Sequence, residues 1–183
     1  MRTTLRLVLA VLCLSGGLFA QSTFTLHSTS VGGQATTVQE FNGFGCTGDN
    51  QSPQLAWENA PAGTQSFAVT IYDPDAPTGS GWWHWVVFDL PASTTELPAG
   101  AGAPAAKLLP AGAIQSLTDY GAPGYGGPCP PPGHGPHQYL ITVYALGTPK
   151  LGLTAENNPA TVGFYLGNNT LAKASIVMYY ERE

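Results

Sequence analysis

Residues 67–90 read FAVTIYDPDAPTGSGWWHWVVFDL, two apolar runs around a polar turn braced by prolines. From Phe67 to Tyr72, Phe, Val and Ile alternate with Ala, Thr and Tyr, the two-residue period of a strand. Asp73-Pro74-Asp75-Ala76-Pro77 stops that strand in a rigid turn. In the second run, Trp82 to Leu90, only His84 and Asp89 are polar, so it reads as a strand buried on both faces and central in its sheet. On a regular strand His84 shares a face with Trp82, Val86 and Phe88.

Moving toward the C-terminus, residues 91–112 are rich in Ala, Pro and Gly without periodicity and read as a surface loop. Ile114 to Leu117 allows a short strand, and the Gly/Pro segment from Gly121 to Gly135 cannot be regular. That segment opens onto His137–Leu146, a strand with His137, Tyr139, Ile141 and Val143 on one face and Gln138, Leu140, Thr142 and Tyr144 on the other. Pro159 to about Ala172, begun by Asn158, predicts a short helix. Ser175 to Tyr180 predicts a closing strand. Toward the N-terminus, Phe24-Thr25-Leu26 predicts an edge strand within a polar, Gly-rich stretch.

Composition agrees with an all-β reading, since the chain carries 23 Gly, 16 Pro and only 9% charged residues. Such a composition favours short strands and tight turns over long amphipathic helices. Residues 1–20 stand apart: Arg2 and Arg6 precede the apolar run Leu7–Leu14, and small residues follow. This is the order of a secretory signal peptide, and the run falls short of the roughly 20 residues a membrane span requires. Leu12 before Cys13 argues against lipoprotein processing. The expected product is one exported domain, residues 21–183, periplasmic or secreted and without a transmembrane segment.

Without the signal, Lys107, Lys150, Lys173 and Arg182 face eleven acidic residues, which makes a nucleic-acid-binding surface unexpected. An anion site in such a chain must rest on a few aimed donors and not on a basic patch. Two cysteines remain, Cys46 and Cys129. In an oxidising compartment they read first as a disulfide, the alternative being two free thiols.

Polar groups gather at predicted strand ends: Asp73 and Asp75, then His84, then His137 and Tyr139. Two imidazoles and a phenol can donate hydrogen bonds to phosphate or sulfate oxygens, while a glycine lets a backbone N–H approach closely. A carboxylate beside the histidines favours imidazolium. Each residue also has a plainer reading. Asp73 or Asp75 can serve only as a turn former, and two ionised carboxylates repel an anion. His84 can be a satisfied core histidine, Tyr139 a core residue with its hydroxyl at the rim, and the tryptophans core. Catalysis is not expected, because no Gly-x-Ser-x-Gly or His-Glu-x-x-His occurs and nothing marks Ser52 as an activated nucleophile. Although His134 adds a fifth candidate ligand, the spacing matches no dense metal motif, so neither metal nor cofactor is expected.

The segments Asp73–Pro77, Gly81-Trp82-Trp83-His84-Trp85 and Pro128-Cys129-Pro130-Pro131 through Gly135-Pro136-His137-Gln138-Tyr139 resemble the phosphatidylethanolamine-binding protein family. The likeness is greatest to its bacterial branch, described as Raf-kinase-inhibitor-like. Phe41–Cys46 and Asn50-Gln51-Ser52-Pro53 resemble that branch too, so the likeness spans about residues 22–183. It implies a Greek-key antiparallel β-sandwich with one or two short helices and a shallow pocket for a small anionic ligand or phosphorylated head group. The implied ligand-binding residues are Asp73, Asp75, His84, Gly127, His137 and Tyr139, with Gly127–Pro131 as a wall. A protein partner, met through the surface, is also compatible with the family. Gln138 departs from the basic residue common at that place in eukaryotic members, which argues against kinase inhibition for this exported chain, although an inhibitor or signalling role on a protein partner stays open.

Overall fold

A computed structural model describes residues 22–183; the signal-peptide reading of residues 1–20 lies outside them. Among the described residues the chain opens with β1 (Thr25–His27), the small hairpin of β2 (Asn42–Gly43) and β3 (Cys46–Thr47), and β4 (Leu55–Glu58). The run at 67–90 then forms the antiparallel pair β5 (Ser66–Asp73) and β6 (Trp82–Pro91). After them come β7 (Glu96–Leu97), β8 (Ile114–Gln115), β9 (His137–Leu146), the helix α1 (Pro159–Asn169) and β10 (Thr170–Tyr180).

Five strands make the larger sheet, in the order β10-β9-β5-β6-β8, all antiparallel. Within it β9 returns to lie beside β5 after β6 and β8 have been laid down, which is the Greek-key order. The smaller sheet is β1-β4-β7. Between the two sheets lies the main core: Leu26, Leu55, Trp57 and Leu97 from the small sheet meet Val69, Ile71, Val87 and Ile141 from the large one. The opposite face of the large sheet presents Ala68, Val86, Phe88 and Leu146 to Val162 and Leu166 of α1. These helix residues stand four apart and so share one side. Asn158 caps α1, its side chain accepting the Thr161 N–H at 2.8 Å, and Pro159 fits the first turn, where no N–H is needed.

The expected alternation of β6 needs correction. Ile71 lies opposite Trp85 but Tyr72 lies opposite Trp83, so His84 is an extra residue on β6. An inserted residue of this kind is a β-bulge, and it reverses the facing of everything before it. His84 therefore turns to the inner side, beside Tyr139, while Val86 and Phe88 face the helix side. A second shift occurs near Asp89, at φ 56°. There the Asp89 carboxylate accepts the buried Leu151 N–H at 2.8 Å. β6 is buried on both faces, yet the central place belongs to β5, with β6 bordered by the two-residue β8.

Two other readings change in detail. The stretch 91–112 is not wholly surface loop, because Leu97 and Ala101 are buried and β7 pairs with β4. The last strand begins at Thr170, five residues before the sequence suggests, because the helix ends at Asn169.

Candidate functional site

Antiparallel pairing with both neighbours brings the end of β5 next to the starts of β6 and β9. Asp73, His84, His137 and Tyr139 thus meet at one end of the sandwich. They line a cavity of about 180 Å³ together with Trp82, Tyr120 and Phe44. Cys129, Pro130 and Pro131 form its wall, and Ala76, Pro77 and Thr78 close one side.

Asp73 organises the floor. Its Oδ1 accepts the backbone N–H groups of Asp75 (2.8 Å) and Ala76 (3.1 Å), an Asx turn that folds the Asp-Pro-Asp-Ala-Pro segment. Its Oδ2 accepts from His137 Nδ1 at 2.8 Å, both side chains being buried. A carboxylate only accepts, so His137 carries its proton on Nδ1 and turns Nε2 the other way. There His134 Nδ1 lies 2.9 Å from His137 Nε2, and the two rings share one proton across that contact.

His84 is held differently. Its Nδ1 lies 2.7 Å from the carbonyl oxygen of Gly126, so the N–H sits on Nδ1, and Gly126 N–H donates back to the His84 carbonyl. Nε2 is buried and has no hydrogen-bond partner. Loss of hydration on burial lowers the His84 pKa to about 4, outweighing the Gly126 hydrogen bond and the charges of Asp73 and Asp119. The expectation that nearby carboxylates populate imidazolium is thereby reversed for His84, which stands neutral with a bare lone pair on Nε2.

The Tyr139 hydroxyl is buried and also unpartnered, with its ring centroid 5.0 Å from that of His84 in an edge-on arrangement. Burial first, and then the charge of Asp73, push its pKa well above the ordinary value, so it remains a neutral O–H donor. Tyr120 is shifted upward in the same way, chiefly by burial, and donates to the Gly127 carbonyl at 2.7 Å.

Two residues implied by the sequence stand back from the cavity. The Asp75 carboxylate accepts the Gln138 N–H at 2.8 Å, joining the β5 turn to β9. Gly127 backs the wall: its N–H donates to Asn50 Oδ1 at 2.8 Å. A Cβ at Gly127 would run into the backbone around Gln39 and Phe41, so no side chain fits there. Only one carboxylate, Asp73, therefore borders the cavity, and both its oxygens are engaged. Cys46 and Cys129 form a disulfide with Cα atoms 6.0 Å apart, tying the β2–β3 hairpin to the wall. Among the described residues no group of three or more His, Cys, Asp or Glu is arranged to hold a metal ion.

Sequence reasoning missed Tyr120 and Phe44 as cavity residues. Tyr120 precedes an irregular Gly/Pro segment and Phe44 sits in a two-residue turn, so neither had a strand to place it. The sequence does hold one signal for Phe44, a large aromatic between two glycines.

The comparisons with known proteins fit this architecture. The family model described as "Phosphatidylethanolamine-binding protein" matches residues 29–181. The UPF0098 protein YbcL of Escherichia coli (strain K12) is 50% identical over 157 residues, 86% of each chain. YbhB of the same organism is 51% identical over 140 residues, 76% of this chain and 87% of its own. The crystal structure of E. coli YbcL, described as a new member of the mammalian PEBP family, has a TM-score of 0.86 and 48% identity, covering 90% of this chain and all of that one. With the family model spanning nearly all the described residues and the sheet order matching a Greek-key sandwich, this chain belongs to the phosphatidylethanolamine-binding protein family.

Proposed function

We propose that this chain is an exported binding protein, not an enzyme, whose cavity takes a phosphate-like group such as a lipid head group or a small phosphorylated ligand. One observation carries the reading: His84 Nε2 and the Tyr139 hydroxyl are buried, lack partners and belong to adjoining rings on the cavity wall. Buried polar atoms are ordinarily hydrogen-bonded, and two such exceptions side by side suit a ligand that brings the missing groups. A tetrahedral oxyanion can accept from Tyr139, and it can meet His84 either by drawing a proton onto Nε2 or by offering its own hydroxyl.

The lining favours binding over chemistry. Cys129 is oxidised, Thr78 Oγ1 is spent on the Gly81 carbonyl, and Ser52 Oγ is buried accepting the Gly102 N–H. Export rests on the charged, apolar, small-residue order of residues 1–20, and the disulfide suits an oxidising compartment.

Sulfate, whose charge is constant above pH 4, tests the reading. The groups facing His84 are Asp73, Asp119, Tyr120 and Tyr139, and an added anion raises the His84 pKa from its low free value. Binding then takes up a proton. Sulfate affinity is expected to rise as pH falls from 8 to 5.5, by at most about tenfold per pH unit, and to level off below about pH 4. His84→Ala is expected to weaken sulfate by one to two decades, the roughly 1.5–3 kcal/mol of a charged hydrogen bond, and to flatten the pH profile. Calorimetry showing no binding at millimolar sulfate at either pH, or binding indifferent to His84→Ala, contradicts the assignment.

A further inference from the structure

We infer that Phe44 and Tyr120 form a second subsite, continuous with the polar cavity, for a flat aromatic group carried by the anion, making the ligand an aryl phosphate. The inference rests on the anion reading above and specifies the rest of the ligand. Phe44 and Gly45 connect β2 to β3 at φ 54° and 85°, the paired positive values of a primed two-residue hairpin turn. Asn or Gly is favoured at the first of these positions, and a bulky L residue rarely occupies it. Phe44 is nevertheless there and 74% exposed, the most exposed large apolar side chain among the described residues. A residue that is unfavourable both in backbone and in solvation points to a role outside folding.

The hairpin that carries the ring is also held in place. Cys46, two residues on, is bonded to Cys129; the Phe41 N–H donates to the Pro128 carbonyl at 3.0 Å; and Arg182 Nη2 donates to the Gly45 carbonyl at 3.2 Å. Phe44 lies nearly parallel to Tyr120, 15° between planes with centroids 5.8 Å apart, and Phe41 packs on both. Phe44 and Tyr120 line the polar cavity on one side and a second cavity of about 330 Å³ on the other. Tyr125, Pro123 and Gly124 are among the other residues lining that second cavity. Two nearly parallel rings, one on an anchored hairpin and one held by its hydroxyl, beside a phosphate-sized cavity match a planar π-system better than a flexible alkyl chain, because stacking needs a flat partner.

Inorganic phosphate, phenyl phosphate and hexyl phosphate, titrated by calorimetry at pH 5.5, test the inference on the wild type and on Phe44→Asn. The wild type is expected to bind phenyl phosphate about tenfold more tightly than inorganic phosphate, with a smaller gain for hexyl phosphate. In Phe44→Asn the ratio of phenyl to inorganic phosphate is expected to fall close to one. The same variant is expected to melt at or above the wild-type temperature, because Asn suits the turn, whereas a merely structural Phe44 would leave it less stable. A ratio near one in the wild type, an equal gain for hexyl phosphate, a ratio that survives Phe44→Asn, or a lower melting temperature overturns the aromatic subsite. Failure of all three ligands to bind would instead sink the anion reading on which it rests.

Discussion

His84 is 3% exposed, hydrogen-bonded at one nitrogen and bare at the other, and its pKa near 4 makes it a stability sensor as well as a ligand candidate. In the unfolded chain the imidazole titrates near 6.5. Between about pH 6.5 and 4 the unfolded state therefore binds a proton that the folded state refuses, and stability falls with pH. The His84 contribution is complete above pH 6.5, declines through that window, and amounts to a loss on the order of 3 kcal/mol by pH 4. Urea unfolding of wild type and His84→Phe at pH 7.5, 5.5 and 4 checks this: the wild type is expected to lose stability more steeply over that interval. Parallel curves would remove His84 as the cause.

At the scale of elements, the β2–β3 hairpin and the Cys129–Pro131 wall belong to different parts of the chain and are joined across 83 residues by one bond. The chain-entropy account gives a disulfide closing a loop of that length about 4–5 kcal/mol of stabilisation. Cys46→Ser with Cys129→Ser is expected to lose up to that amount in urea, and the wild-type protein should gain the mass of two hydrogen atoms on reduction, one on each sulfur. An unchanged urea midpoint would show that the hairpin is held without the disulfide. The long strands were legible in the sequence, because Phe67–Tyr72 and His137–Val143 alternate over enough residues to reveal a period of two. β4 and β7 were not, since two to four residues carry no period, while β8 falls within the short strand read at Ile114 to Leu117. The bulge at His84 was invisible because it depends on which β5 residue stands opposite. The polar site residues at strand ends were readable for the same reason as their strands, whereas Phe44 and Tyr120 sit in turns whose course is set by the disulfide and by distant backbone hydrogen bonds.

For the whole molecule, eleven acidic residues against six basic ones give a formal charge of −5. No helix among the described residues is long and apolar enough to cross a membrane. That net charge is unfavourable to nucleic acid, and no retardation of duplex or single-stranded DNA is expected in gels at physiological ionic strength. A salt-sensitive shift would contradict that expectation. Any anion that reaches the cavity does so against the mean field of the molecule, drawn by short-range donors alone.

The contact between His134 and His137 gives such an encounter a particular thermodynamic character. His137 Nε2 already has a partner on the exposed loop at His134, so an anion such as sulfate reaching that nitrogen must displace His134 and also bring a proton onto Nε2, because it only accepts. The loop backbone stays tied by the Gly133 N–H to the Arg182 carbonyl at 3.0 Å, so what displacement returns is the rotamer freedom of the His134 side chain, set against the freedom the ligand gives up.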